Sequence, residues 1–140
     1  MKEKEIKVYI ASPYSAGWMP TNITRQFELS KELLELGYWP YMPLLTHFLE
    51  IYTHYSEHIW LEQDFVYLKV CDAILRIKPV VDGVEIPSPG ADLEVDLAIK
   101  EGIPVFYSIE ELNNHFKANA AQGEISFFDP EYLKKKYLEM

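Results

Sequence analysis

Cysteine is nearly absent. Cys71 is the only one in 140 residues, which excludes a disulfide framework and a thiolate zinc cluster. Positive charge is also scarce, with 13 Lys and Arg against 22 Asp and Glu and a formal net charge of −9. Neither polymeric nucleic acid nor an anionic membrane is therefore an expected partner through a broad electrostatic patch. A small anion held locally by backbone N–H groups remains open. No apolar run approaches the roughly 20 residues of a membrane span. The apolar run behind the charged residues 1–7 is too short for a signal peptide, so the expected location is cytoplasmic. Gly17 and Gly90 form neither a Gly-x-Gly-x-x-Gly nor a Walker pattern, which argues against dinucleotides and nucleoside triphosphates. His54 and His58 are four apart, but Ser56 is expected to start a helix between them, and no metal or cofactor is expected.

What is present describes an ordinary globular domain, 49% hydrophobic and 25% charged. Residues 1–140 are read as one domain with a single core. Continuous apolar runs predict strands at 7–12, 38–42, 72–78 and 103–107, with a loop or small hairpin over 80–87 around Asp82-Gly83. Helices are expected from Thr21 or Asn22 to about 36, from Ser56 to about 71, from Ser88 to about 101, over 109–120 and over 129–139. In the first of these, Ile23, Phe27, Ser30 and Leu34 share a face, and the stretch 43–55 is read as a short helix. Buried strands alternating with helices imply an α/β fold, a doubly wound parallel sheet with ligands at the carboxyl ends of its strands.

Two carboxylates break this pattern. In the segment from Ser88 through Ala98, Ser88 is a good N-cap and Pro89 suits the first helical position. On that helix Glu94 has Gly90, Ala91, Leu97 and Ala98 as its neighbours one turn away, all small or apolar. Asp64 repeats the oddity among Trp60, Leu61, Tyr67 and Leu68, whereas Glu28 sits among Thr24, Arg25, Lys31 and Glu32 like a solvated surface residue. Uncompensated carboxylates on core-facing stripes are costly, and two of them suggest an acid–base pair.

Three segments together resemble the nucleoside 2-deoxyribosyltransferase superfamily, which includes the 2′-deoxynucleoside 5′-monophosphate N-hydrolases. They are Val8-Tyr9-Ile10-Ala11-Ser12-Pro13-Tyr14, then Glu62-Gln63-Asp64-Phe65 ahead of Cys71-Asp72-Ala73-Ile74-Leu75, and Gly90-Ala91-Asp92-Leu93-Glu94. The resemblance implies a flavodoxin-like fold and cleavage of the N-glycosidic bond of deoxynucleosides or deoxynucleotides, by hydrolysis or by base exchange. It places the family's catalytic glutamate on Glu94, its assisting aspartate on Asp64 and the tyrosine of its first strand on Tyr9. Members that require a 5′-phosphate tend to have serine six residues before the glutamate, which here is Ser88. Two departures stand out: residues 12–17 lack the arginine that some hydrolases carry there, and Asp96 occupies a position that is often glycine.

Each assignment has a plainer alternative. Glu94 could turn to solvent or pair with a cation, Asp64 could cap a helix or pair with Arg76, and Tyr9 could be core. Ser88 is explained by capping alone, although the free N–H groups of a helix start, near Gly90, also suit a phosphate. Ser12, His47 and Trp60 are candidate substrate contacts, the last two as walls of a base pocket or simply as packing. The whole could also be a catalytically silent nucleotide-binding module. Aromatic residues make up 14% of the chain. Segments 38–55 and 125–137, carrying Trp39, Tyr41, Phe48, Phe127, Phe128 and Tyr132, suggest a homodimer or higher even oligomer.

Overall fold

A computed structural model of the chain describes residues 5–118 and 129–139. The strands are β1 (Lys7–Ala11), β2 (Trp39–Tyr41), β3 (Ala73–Arg76), β4 (Val80–Val81), β5 (Val84–Glu85) and β6 (Val105–Phe106). The helices are α1 (Met19–Glu35), α2 (Thr46–Tyr52), α3 (Glu57–Leu68), α4 (Pro89–Lys100), α5 (Ile109–Phe116) and α6 (Pro130–Tyr137). β2, β1, β3 and β6 form, in that order, a four-stranded sheet whose neighbours are all parallel. This order is flavodoxin-like, with the switch point between β1 and β3. β4 and β5 make a separate antiparallel hairpin turned by Asp82 and Gly83 at positive φ, a geometry that an Asp-Gly pair accepts readily.

Alternation along β1 divides the interior. Val8 and Ile10 join Leu33 of α1, Leu75 of β3, and Ile109 and Leu112 of α5 on one face of the sheet. Tyr9 and Ala11 join Leu68 of α3, Ile74 of β3, and Ala91 and Ala98 of α4 on the other. Each fully buried Leu or Ile contributes roughly 1.5–3 kcal/mol, so both faces are held mainly by apolar burial. No described helix is long and apolar enough to cross a membrane.

Two expectations about α1 need correction. It begins at Met19, with Pro20 in its first turn and no side-chain cap, rather than at Thr21 or Asn22. Its buried residues are Asn22, Ile23, Gln26, Ser30 and Leu33, while Phe27 and Leu34 are exposed. The amides explain the rotated face. Asn22 Nδ2 donates to the carbonyls of Tyr14 and Ala16 at 2.8 and 2.6 Å. Gln26 Nε2 donates to Ser12 Oγ and Ile10 O at 3.0 and 3.3 Å, and its Oε1 accepts from the Leu44 N–H at 2.9 Å. Backbone groups of the loop after β1 that would otherwise lie buried without partners are satisfied from inside the helix.

The segment 43–55 holds the short helix expected of it, α2, entered through a 3-10 turn at Pro43–Leu45. α5 stops at Phe116 rather than near 120, because Lys117 turns left-handed and its N–H bonds the Asn113 carbonyl at 2.8 Å. Phe127 and Phe128 lie outside the described residues.

Candidate active site

The N-terminus of α4 is built as its sequence suggested. Ser88 Oγ accepts from the Ala91 N–H at 3.2 Å, and Pro89 occupies the first turn. A Cβ on Gly90 would make only ordinary contact with Leu61 Cδ1, at 3.8 Å, where α4 lies beside α3. The loop after β1 comes up against the same rim. Gly17 has φ +77°, a conformation that calls for glycine, and a Cβ there would stand 3.1 Å from Ile86 Cδ1, which would have to shift slightly.

One turn into α4, Glu94 points into the sheet and is only 6% exposed. The hydroxyl of Tyr9, itself fully buried on the central strand, donates to Glu94 Oε2. Burial raises the Glu94 carboxyl from the ordinary glutamate range to about 8. Asp64 lies on α3, which packs against α4. Its Oδ1 is buried without a hydrogen-bond partner, and desolvation raises this carboxyl to about 7. Tyr41 lies beside it: burial, then the Asp64 charge, push the Tyr41 phenol up to about 12. The Tyr41 ring in turn stacks on Tyr9 at 5.5 Å. Glu94 and Asp64 thus face the same side of the sheet, joined through two tyrosines.

The arginine on this face of the sheet is already engaged. Arg76 ends β3, is 1% exposed, and pairs through Nη2 with Asp92 Oδ1 at 2.9 Å. Its Nη1 donates to the Ile77 carbonyl at 2.6 Å, and its Nε is buried without a partner. Neither Arg76 nor Asp92 was singled out in the sequence as a site residue, and Arg76 does not pair with Asp64. An arginine closing an apolar strand was the available signal. Arg76 is engaged by Asp92, and burial is what raises the Glu94 and Asp64 carboxyls.

The remaining candidates divide. The Ser12 hydroxyl accepts from Gln26 and retains its own proton to donate. His47 hydrogen-bonds the Tyr14 hydroxyl, and the two rings meet edge to face at 5.6 Å. Trp60 Nε1 donates to Glu50, which also receives the Tyr55 N–H and pairs with His54. His47 and Glu50 thereby tie α2 to the first loop on one side and to α3 on the other. No group of three or more His, Cys, Asp or Glu side chains suited to a metal occurs among the described residues.

The raised carboxyls have a consequence for stability. An unfolded Glu titrates near about 4.3 and an unfolded Asp near about 3.9. Between those values and about 8 and about 7, the native protein keeps protons that the unfolded chain has released. Their contribution is complete in acid and is lost as pH rises through 7 to 8. For Glu94 the loss is on the order of a few kcal/mol. Urea unfolding at pH 5 and pH 8.5 should show this decline, and Glu94→Gln should flatten it. An identical decline in the variant would mean that Glu94 is not the group titrating.

No family model and no curated protein matches the chain. Among solved structures it is similar to the 2-deoxyribosyltransferase of the psychrotolerant bacterium Bacillus psychrosaccharolyticus, at a TM-score of 0.52 and 19% identity. The match covers 91% of this chain and 95% of that one. The likeness is one of fold, a mostly parallel sheet flanked by helices, extending over nearly the whole of both chains.

Proposed function

We propose that this protein cleaves the N-glycosidic bond of 2′-deoxynucleosides or their 5′-monophosphates, with Glu94 as nucleophile and Asp64 as proton carrier. The observation that carries the reading is Glu94 itself, a carboxyl buried against the sheet and held by the Tyr9 hydroxyl. The similar solved structure is by name a 2-deoxyribosyltransferase, which agrees with this reading.

In the proposed reaction, a Glu94 oxygen forms a bond to C1′ as the C1′–N bond breaks. The electron pair of that bond leaves on the base nitrogen, and Asp64 supplies the proton that neutralises it. The sugar ester on Glu94 is then released by water, giving hydrolysis, or by a second base, giving transfer. Asp64 takes back a proton from the attacking molecule. Tyr9 holds the Glu94 oxygens in position. Ser88 and Gly90 are the proposed contacts for a 5′-substituent, with Ser12 beside them, and His47 and Trp60 are the proposed walls of the base pocket.

The reactive state needs Glu94 ionised and Asp64 protonated. With carboxyls near 8 and 7, the pair holds about one proton between those values, and the reactive arrangement is a minority form within that state. The test is incubation with a panel of deoxynucleosides and deoxynucleotides, with and without a second base, and chromatography of the free base. Release from monophosphates alone would identify a nucleotide hydrolase, and base exchange a transferase. No release from any substrate would favour a silent binding module.

The proposal extends to assembly. Trp39, Phe48 and Tyr132 are exposed, as are Ile51 and Tyr52 of α2, a helix with no buried residue. A homodimer or higher even oligomer that covers α2 would close the rim over a nucleoside. Light scattering at micromolar concentration should give at least twice the 16.4 kDa chain mass, and a monomer with dilution-independent activity would refute this.

A further inference from the structure

We infer that Tyr41 is a positioning residue, the middle ring of a tyrosine column that ties the helix bearing Asp64 to the tyrosine holding Glu94. The inference rests on the reaction proposed above and adds a residue to it. Tyr9 and Tyr41 stand opposite each other in the β1–β2 register. Their rings stack at 5.5 Å and 25°, and Tyr41 stacks in turn on Tyr67 of α3 at 5.0 Å and 17°. The column runs from the fully buried Tyr9 to Tyr67, which is 46% exposed. Tyr67 lies three residues beyond Asp64, so it shares that side of α3.

Each contact has a mechanical role. A parallel strand pair fixes the backbones of β1 and β2 but leaves an aromatic ring free to turn about its side-chain torsions. The Tyr9 hydroxyl reaches Glu94 only while its ring keeps its plane, and Tyr41 covers one face of that ring. On the far side of the column, the stack on Tyr67 sets how closely α3 approaches the sheet, and with it the depth of Asp64. The Gln63 side chain and the Asp64 carboxyl both act on the Tyr41 hydroxyl, so Tyr41 meets α3 through its oxygen as well as its face. Aromatic stacking exceeds simple area burial by about 0.5–1.5 kcal/mol per pair, enough to favour one ring orientation over its alternatives.

The geometry requires the ring more than the hydroxyl, and the test separates the two. Tyr41→Phe keeps the column, while Tyr41→Leu and Tyr41→Met remove it, the second covering failure of the first to fold. Two readouts are taken on each folded variant: steady-state base release, and the titration of Glu94 in protein carrying a 13C-labelled glutamate carboxyl. Tyr41→Phe should leave both within about threefold, or a few tenths of a pH unit, of the parent. The aliphatic variants should lose about 10–100-fold in kcat with KM moved less than about threefold, as expected when a reacting group is misplaced rather than substrate binding lost. Their Glu94 titration should move up by at least about half a unit, because loosening the Tyr9 hydrogen bond withdraws support from the charged form.

Aliphatic variants with unchanged kcat and unchanged or lowered titration would overturn the inference, whatever their melting temperature. So would a Tyr41→Phe variant as damaged as the aliphatic ones. Should the parent protein release no base from any deoxynucleoside, the reaction fails and the titration alone decides the role of Tyr41.

Discussion

Glu94→Gln is expected to reduce base release by about 10³ or more while the fold survives, because it removes a nucleophile rather than a contact. The amide matches the carboxyl in size and can still accept from the Tyr9 hydroxyl. It cannot form the sugar ester. Stability should rise at alkaline pH, where the native carboxyl must ionise in a site that is 6% exposed. The pairing of lost turnover with gained stability distinguishes a reacting group from a structural one. Activity within about tenfold of the parent, a loss of only about 1.4 kcal/mol in the barrier, would remove Glu94 from the reaction. So would a trapped sugar adduct on any other residue. Mass spectrometry of protein quenched during turnover with a slow substrate addresses the second point directly.

Asp64→Asn is expected to slow base release by roughly 10²–10⁴, the range for a lost proton carrier. Its effect should depend on the leaving group. A base that departs easily without protonation should be penalised least, and a poor one most. The pH profile should change shape as well. The parent should give a bell with limbs near 7 and 8, the first for loss of a proton from the pair and the second for loss of the last. The asparagine variant has no proton to lose from that position, so its alkaline limb should disappear. Stability should hold or rise slightly, since an orphaned buried carboxyl oxygen is exchanged for a neutral group. An unchanged rate with a large fall in melting temperature would instead make Asp64 a structural residue.

Much of this arrangement was readable from local pattern. Ser88 and Pro89 announce α4, and the apolar neighbours of Glu94 one turn away place its side chain against the sheet, where it is found buried. Asp-Gly at 82–83 announces the hairpin. The face of α1 was misread because hydrophobicity put Phe27 and Leu34 inside, whereas Asn22 and Gln26 are there. Those amides are buried for the sake of loop carbonyls and a distant N–H, partners that no periodicity within the helix encodes. Tyr41 was counted among surplus aromatics suited to an interface, yet it is half-buried between Tyr9 and Tyr67. Arg76 stayed out of view as a site residue because its role follows from Asp92, sixteen positions away and on another element. Contacts across elements carry the details that the one-dimensional pattern leaves out.

The alternation of β1 makes the two sides of this molecule separable for engineering. Substitutions among Val8, Ile10, Leu33 and Leu112 change one layer, while Tyr9, Ile74, Ala91 and Glu94 belong to the other. A designer seeking a hardier protein has the α1 and α5 layer to repack, with volume conserved, at little risk to the proposed reacting groups. The exception is Gln26, which sits in that layer yet fastens the end of β1, the Ser12 hydroxyl and the turn at Leu44. Randomised libraries built on the permissive layer should therefore hold Gln26 fixed, since its loss would disturb the Ser12 side of the proposed site although it lies outside the layer that holds Glu94.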